Sequence, residues 1–172
     1  FFFVLAVGTG AWGLLTLLQP GHVETTADTS DTIVWRDFES GLEEARSTKK
    51  KVLLDVYTDW CSWCRKMDAD VYASDSIIPI LEAHFVAIKL NAESSRELTY
   101  DGRRYSQAAF ARALGVTGYP TTVFLDSQSK PITIVPGYVE PSRFRDILRY
   151  IGQDGFLTLS FEQFLSREGR SQ

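Results

Sequence analysis

Two cysteines three positions apart are the residues whose type and spacing most directly suggest chemistry. Cys61 and Cys64 are the only cysteines among the 172 residues. Residues 52–58 before them are mostly apolar and rich in branched side chains, which predicts a buried strand. Residues 65–70 after them contain neither glycine nor proline, which favours a helix. Cys61 is therefore predicted at a helix N-terminus, where unpaired backbone N–H groups and the helix dipole stabilise a thiolate.

A thiolate in this position suits thiol–disulfide exchange, because the thiolate is the attacking species. We expect Cys61 to be exposed and to attack a partner disulfide. Cys64, one helical turn further on, is expected to close a disulfide with Cys61 and release the partner.

Two alternatives leave the cysteines without redox activity. A zinc site needs four ligands, and the sequence adds only His22 and His84, which are far apart. A static structural disulfide would close too short a loop to restrict the unfolded chain much. Redox exchange is the interpretation we favour over both.

Composition describes an ordinary globular chain. Hydrophobic residues make up 44% and charged residues 23%, and the formal net charge is −4. This balance gives no sign of nucleic-acid binding. The length suits a single domain with a substantial core.

Residues 1–18 are almost wholly apolar and carry no charge. A helix of that length, at about 1.5 Å per residue, nearly crosses a hydrocarbon core, so we predict a membrane anchor helix. A cleaved signal peptide and a buried core helix are the alternatives. Residues 19–32 are polar and predict a flexible linker, which makes residues 33–172 the folded domain.

The folded domain alternates predicted strands and helices, which implies an α/β fold whose mixed central sheet has helices on both faces. Turn residues around Asp101 and Gly102 predict a small hairpin. Ser106 and Ser160 are predicted helix caps, the latter in a capping box with Gln163. Strands are predicted at 85–90, 121–125 and 132–135, and further helices at 37–48, 76–84 and 141–151.

Three motifs in order resemble the thioredoxin superfamily: residues 55–67 around the cysteines, residues 89–91, and residues 118–122 around Pro120. The resemblance covers roughly residues 33–152. Residues 57–60, the predicted hairpin at 100–105, residues 136–138 and the tail at 155–165 resemble exported, often membrane-tethered thioredoxin-like proteins. The resemblance implies a thioredoxin-like fold, thiol–disulfide oxidoreductase activity on protein thiols and disulfides, and no cofactor or metal.

The resemblance also implies roles for individual residues. Pro120 is expected in the cis form beside the cysteines, with the backbone of Tyr119 pairing with an extended substrate segment. An ordinary turn proline is the alternative. Trp60, Ser62 and Trp63 are expected to contact the substrate, although tryptophans are more often core residues.

Asp55 and Lys89 are the remaining candidates. Asp55 lies in an apolar strand, and a buried carboxylate with a raised pKa can take the proton from Cys64. Lys89, on the neighbouring strand, is its expected partner. A surface salt bridge without a chemical role is the alternative.

Together these features predict a monomeric reductase of protein disulfides in the bacterial periplasm, tethered to the inner membrane and recharged by a membrane electron donor. An oxidase or isomerase of the same fold is one alternative. The absence of a histidine between the cysteines disfavours it, since an imidazolium there would stabilise the thiolate. A non-catalytic module that binds cysteine-containing partners is the other.

Overall fold

The computed structural model describes residues 32–169. The predicted anchor at 1–18 and nearly all of the predicted linker at 19–32 lie outside the described residues. Within the described part, no helix combines the length and apolar character needed to cross a membrane.

The described chain alternates strands and helices, as predicted. The strands are β1 (Trp35–Arg36), β2 (Lys51–Tyr57), β3 (Phe85–Asn91), β4 (Glu97–Tyr100), β5 (Arg103–Ser106), β6 (Thr121–Leu125) and β7 (Pro131–Pro136). The helices are α1 (Phe38–Thr48), α2 (Ser62–Met67), α3 (Ile78–His84), α4 (Gln107–Ala113), α5 (Pro141–Gly152) and α6 (Phe161–Arg167).

Five strands form a mixed sheet in the order β1-β3-β2-β6-β7. Strands β1, β3 and β2 are parallel, whereas β6 and β7 run antiparallel to their neighbours. The remaining strands, β4 and β5, form a separate hairpin. The predicted mixed sheet is therefore confirmed.

Strand β2 lies at the centre of this sheet and distributes its side chains to both faces. Val52, Leu54 and Val56 join the core cluster that includes residues of α1 and α4. Leu53 joins the opposite cluster, which includes residues of α2, α3 and α5. Because side chains alternate along a strand, Asp55 lies on the same face as Leu53, below the helix that begins at the cysteines.

Both predicted helix caps are present. The Ser106 side chain accepts a hydrogen bond from the Ala109 N–H group, and Ser160 forms a capping box with Gln163. Two features near the cysteine helix had no predicted counterpart. They are the two-residue strand β1 and a π-helical turn at Asp68–Tyr72 that continues α2.

Candidate active site

The two cysteines are joined in a disulfide, with their Cα atoms 5.3 Å apart. Cys61 occupies the N-cap position of α2, and its Sγ atom accepts a hydrogen bond from the Cys64 N–H group at 3.0 Å. A backbone donor therefore already points at the sulfur on which a thiolate would form. This is the arrangement that stabilises a thiolate at a helix N-terminus.

The expected exposure of Cys61 is wrong for this disulfide form. Cys61 and Cys64 are each 4% exposed. The disulfide and the hydrogen bond draw the Cys61 sulfur toward Cys64, which lies on the buried face of α2. The solvent-facing side chains of the motif are Trp60 and Trp63, which are 65% and 55% exposed, and Ser62 between them is also exposed.

The loop before β6 lies next to the cysteine motif. The peptide bond between Tyr119 and Pro120 is cis. The Tyr119 ring meets the Trp60 ring edge to face, with 6.1 Å between centroids. The Gly137 N–H group donates to the Pro120 carbonyl at 2.8 Å and so fixes the loop to the end of β7. The structure thus brings together Trp60, Tyr119 and Pro120, as predicted from sequence.

Asp55 is a buried carboxylate, 2% exposed, whose Oδ2 atom lies 3.2 Å from the Lys89 Nζ atom. The two residues are directly opposite each other in the register of β2 and β3. Burial raises the pKa of Asp55 from 3.8 to about 6, although the Lys89 charge acts in the other direction. The predicted ion pair is present, with Asp55 buried and the Lys89 side chain partly exposed.

Two further residues of this network were not found from sequence. The Oδ1 atom of Asp68 lies 2.5 Å from Lys89 Nζ, and the Tyr72 hydroxyl donates to Asp55 Oδ1 at 3.4 Å. The Tyr72 hydroxyl also lies 3.3 Å from Thr122 Oγ1 on β6. One signal was available, because Cys64, Asp68 and Tyr72 are spaced four residues apart and helical spacing of this kind places residues on one face.

Four exposed or half-buried rings flank the cysteines and form what we call the aromatic surface: Trp60, Trp63, Tyr119 and Tyr138. The Trp60 Nε1 group donates to Glu93 Oε1 at 2.9 Å. The Trp63 ring packs against Tyr138 at 5.5 Å between centroids, and the Tyr138 hydroxyl donates to Asp70 Oδ2 at 3.1 Å. These contacts hold the two exposed tryptophans in place. The sequence analysis assigned no role in the site to Glu93, Asp70 or Tyr138.

Comparison with known proteins places this site in a family. The profile of a thioredoxin-like domain matches residues 38–152, which is more than half of the chain. The chain belongs to the thioredoxin-like domain family. The resemblance seen in its three motifs is thereby confirmed.

Among curated relatives, the thiol:disulfide interchange protein DsbD of Photorhabdus laumondii is 25% identical over 142 residues, which is 81% of this chain and 22% of that protein. The disulfide bond reductase DsbH of Chlamydia pneumoniae is 25% identical over 99 residues, covering 57% of this chain and 59% of that protein. This thioredoxin-like chain therefore spans less than two thirds of the length of either relative.

A solved structure has the same fold. A thioredoxin-fold protein from Helicobacter pylori superposes with a TM-score of 0.61 at 21% identity, covering 82% of this chain and 89% of that one. The fold predicted from the motifs is therefore confirmed for the described part of this thioredoxin-like chain.

Proposed function

We propose that this thioredoxin-like domain is a thiol–disulfide oxidoreductase that reduces protein disulfides through the Cys61–Cys64 dithiol. The observation that carries the proposal is the disulfide at the start of α2, with the Cys64 N–H group donating to the Cys61 sulfur. The relatives named as a disulfide interchange protein and as a disulfide bond reductase support the same chemistry.

Reduction takes place in two exchanges. In the reduced protein, the Cys61 thiolate attacks one sulfur of the substrate disulfide, forms a mixed disulfide and releases the first substrate thiol. The Cys64 thiolate then attacks the Cys61 sulfur and releases the second substrate thiol. The substrate gains two electrons, and the protein ends in the Cys61–Cys64 disulfide form seen here.

Asp55 assists the second exchange by accepting the proton of Cys64. A carboxylate with a pKa of about 6 is a stronger base than an ordinary aspartate, and yet it is mostly ionised at neutral pH. The ion pair with Lys89 stabilises the ionised form of Asp55 inside the protein. Asp68, which shares the same ammonium, is the more exposed of the two carboxylates.

The substrate binds across the aromatic surface and the adjacent loop. Trp60 and Trp63 are large, exposed and held by contacts, so ordering them on binding costs little entropy. Ser62 between them is exposed as well. The backbone of Tyr119, next to the cis Pro120, pairs with an extended segment of the substrate in the manner of an added strand.

The reductive direction and the location form the second part of the proposal. Exported compartments are oxidising, so a reductant there must be recharged by an electron donor. We propose that residues 1–18 anchor the domain in the inner membrane and residues 19–32 link it flexibly, which would keep a monomeric periplasmic domain near a membrane donor.

The direct test is an insulin-reduction assay combined with a glutathione redox titration. We expect catalysis that needs both cysteines, and a reduction potential nearer the roughly −270 mV of thioredoxin than the roughly −120 mV of a dedicated oxidase. A potential above about −160 mV would instead assign an oxidase. Absence of turnover, with partner binding that survives Cys64→Ser, would assign a binding module.

A further inference from the structure

We propose that Trp35 is a positioning residue for the proton acceptor of this site. Its indole ring holds the Lys89 ammonium beside Asp55. The consequence for reduction depends on the function proposed above, whereas the effect on the ion pair itself does not.

The Trp35 ring contacts both of the side chains that touch Asp55. Its centroid lies 4.8 Å from Lys89 Nζ, in cation–π geometry. It also meets the Tyr72 ring edge to face, with 5.1 Å between centroids and 84° between planes. The indole can therefore act on the pKa of Asp55 through Lys89 and Tyr72.

The Lys89 ammonium is surrounded on several sides. Asp55 and Asp68 accept from it at 3.2 and 2.5 Å, and the Tyr57 ring lies 5.0 Å away. An ammonium group has three N–H donors, and the two carboxylates occupy two of them. The aromatic faces of Trp35 and Tyr57 attract the same charge and hold it in this position.

Trp35 also lines two surface cavities. One, of about 420 Å³, is lined by Trp35, Tyr57 and Lys89 among others. The second, of about 260 Å³, is lined by Trp35, Lys89, Asp68 and Tyr72 among others. Both cavities are large enough for several waters, and both reach Lys89. Loss of the indole would enlarge each cavity toward the ammonium.

The strand that carries Trp35 is short but fixed in place. Trp35 and Arg36 pair with Ala87 and Ile88 of β3. The Arg36 guanidinium also binds the Glu44 carboxylate of α1 at 2.5 and 3.2 Å. The indole is therefore held at a defined position over Lys89 by both the sheet and a helix.

The direction of the effect follows from the groups that face Asp55. Lys89 on β3 lowers its pKa, and Asp68 on the π-helical turn raises it. The neutral Tyr72 and Thr122 hydroxyls complete the network around the carboxyl group. Burial is the largest cause of the raised pKa, and the Lys89 charge opposes it. An ammonium released by loss of the indole moves away from Asp55, so the pKa of Asp55 rises further.

The test is a titration of the Asp55 carboxyl carbon by NMR in the full-length oxidised chain, with Trp35→Leu and Trp35→Phe compared with wild type. No substrate is present, so the result is independent of whether the protein is a reductase. We expect Trp35→Leu to raise the pKa of Asp55 by about half a unit or more, and Trp35→Phe, which keeps an aromatic face, to stay near wild type. An unchanged or lowered pKa in a folded Trp35→Leu protein would overturn the proposal.

A measurement on the wild-type protein keeps the proposal testable if Trp35→Leu does not fold. The Lys89 Cε protons should show the upfield displacement caused by aromatic rings, and this displacement should change with pH as Asp55 titrates. The pH dependence should disappear in Asp55→Asn. Lys89 resonances at ordinary positions, or a displacement insensitive to Asp55, would contradict the positioning role.

Discussion

The Nζ atom of Lys89 lies 3.2 Å from the Oδ2 atom of Asp55, whose side chain is 2% exposed. Burial nevertheless raises the pKa of Asp55 to about 6 from an ordinary value of 3.8. The folded protein therefore binds this proton more tightly than the unfolded chain does. The contribution of Asp55 to stability is most favourable below about pH 4 and is lost as the pH rises through about 6.

The first prediction concerns stability. We expect Asp55→Asn to raise the free energy of unfolding relative to wild type by about 1–3 kcal/mol at pH 8, because it removes a buried charge. The gain should be small at pH 4, where Asp55 is already neutral. Urea unfolding of both proteins at several pH values measures the difference. A gain of equal size at pH 4 and pH 8 would contradict the raised pKa.

The same substitution should slow turnover. Without a proton acceptor, release of the mixed disulfide is expected to be about ten-fold slower or more at pH 7. Wild-type activity should fall as the pH drops below about 6, where Asp55 becomes protonated. Asp55→Asn should lack that inflection. The pH profile of insulin reduction provides the comparison, and an identical inflection in both proteins would assign it to another group.

The roles of the two sulfurs can be separated by trapping. Cys64→Ser should accumulate mixed disulfides with partner proteins, because Cys61 still attacks and nothing resolves the product. Cys61→Ser should not. In the reduced protein, Cys61 should also alkylate faster than Cys64 at neutral pH, because its sulfur faces the Cys64 N–H group at the N-cap. Equal trapping or equal alkylation rates would reject these roles.

The aromatic surface should affect protein substrates more than small ones. Trp60→Ala and Trp63→Ala are expected to raise KM for insulin several-fold, since interface tryptophans commonly contribute 1 kcal/mol or more, at about ten-fold per 1.4 kcal/mol. Reduction of a small aromatic disulfide should change little. Leu157→Ala removes an apolar side chain that is 69% exposed in the C-terminal segment and serves as the matched control. An equal effect of all three substitutions would point to general surface hydrophobicity.

The predicted anchor calls for a fractionation experiment. The full chain should pellet with membranes and resist alkaline carbonate extraction, because residues 1–18 are apolar and uncharged. A chain beginning at Asp31 should stay in solution and reduce a small disulfide at the same rate. Recovery of a product cleaved near Gln19 would favour a signal peptide.

The sequence was most informative where local chemistry determines structure. The strand-to-helix junction at Cys61 and the capping box of Ser160 depend on residues that are neighbours in the chain. The Asp55–Lys89 pair could also be predicted from the sequence. A charged side chain in an apolar strand has few possible partners, and the neighbouring strand offers one of opposite charge.

Contacts that depend on tertiary packing were harder to predict from the sequence. Strand β1 has two residues, which is too short to show a periodic pattern. Apart from its helical spacing from Cys64, Asp68 looks in sequence like any charged residue on a helix surface, and its position beside Lys89 depends on the fold. The burial of Cys61 was missed because it depends on the disulfide drawing its sulfur inward.

The π-helical turn at Asp68–Tyr72 adds one residue to the helical segment that begins with α2. A π-helical turn accommodates one residue more than an α-helical turn, and residues of an α-helix are about 100° apart around the axis. The wider turn absorbs the extra residue, whereas a residue inserted into an unbroken α-helix would rotate everything after it by that angle. Met67 before the turn and Tyr72 at its end therefore face the same buried cluster, and the Tyr72 hydroxyl reaches Asp55.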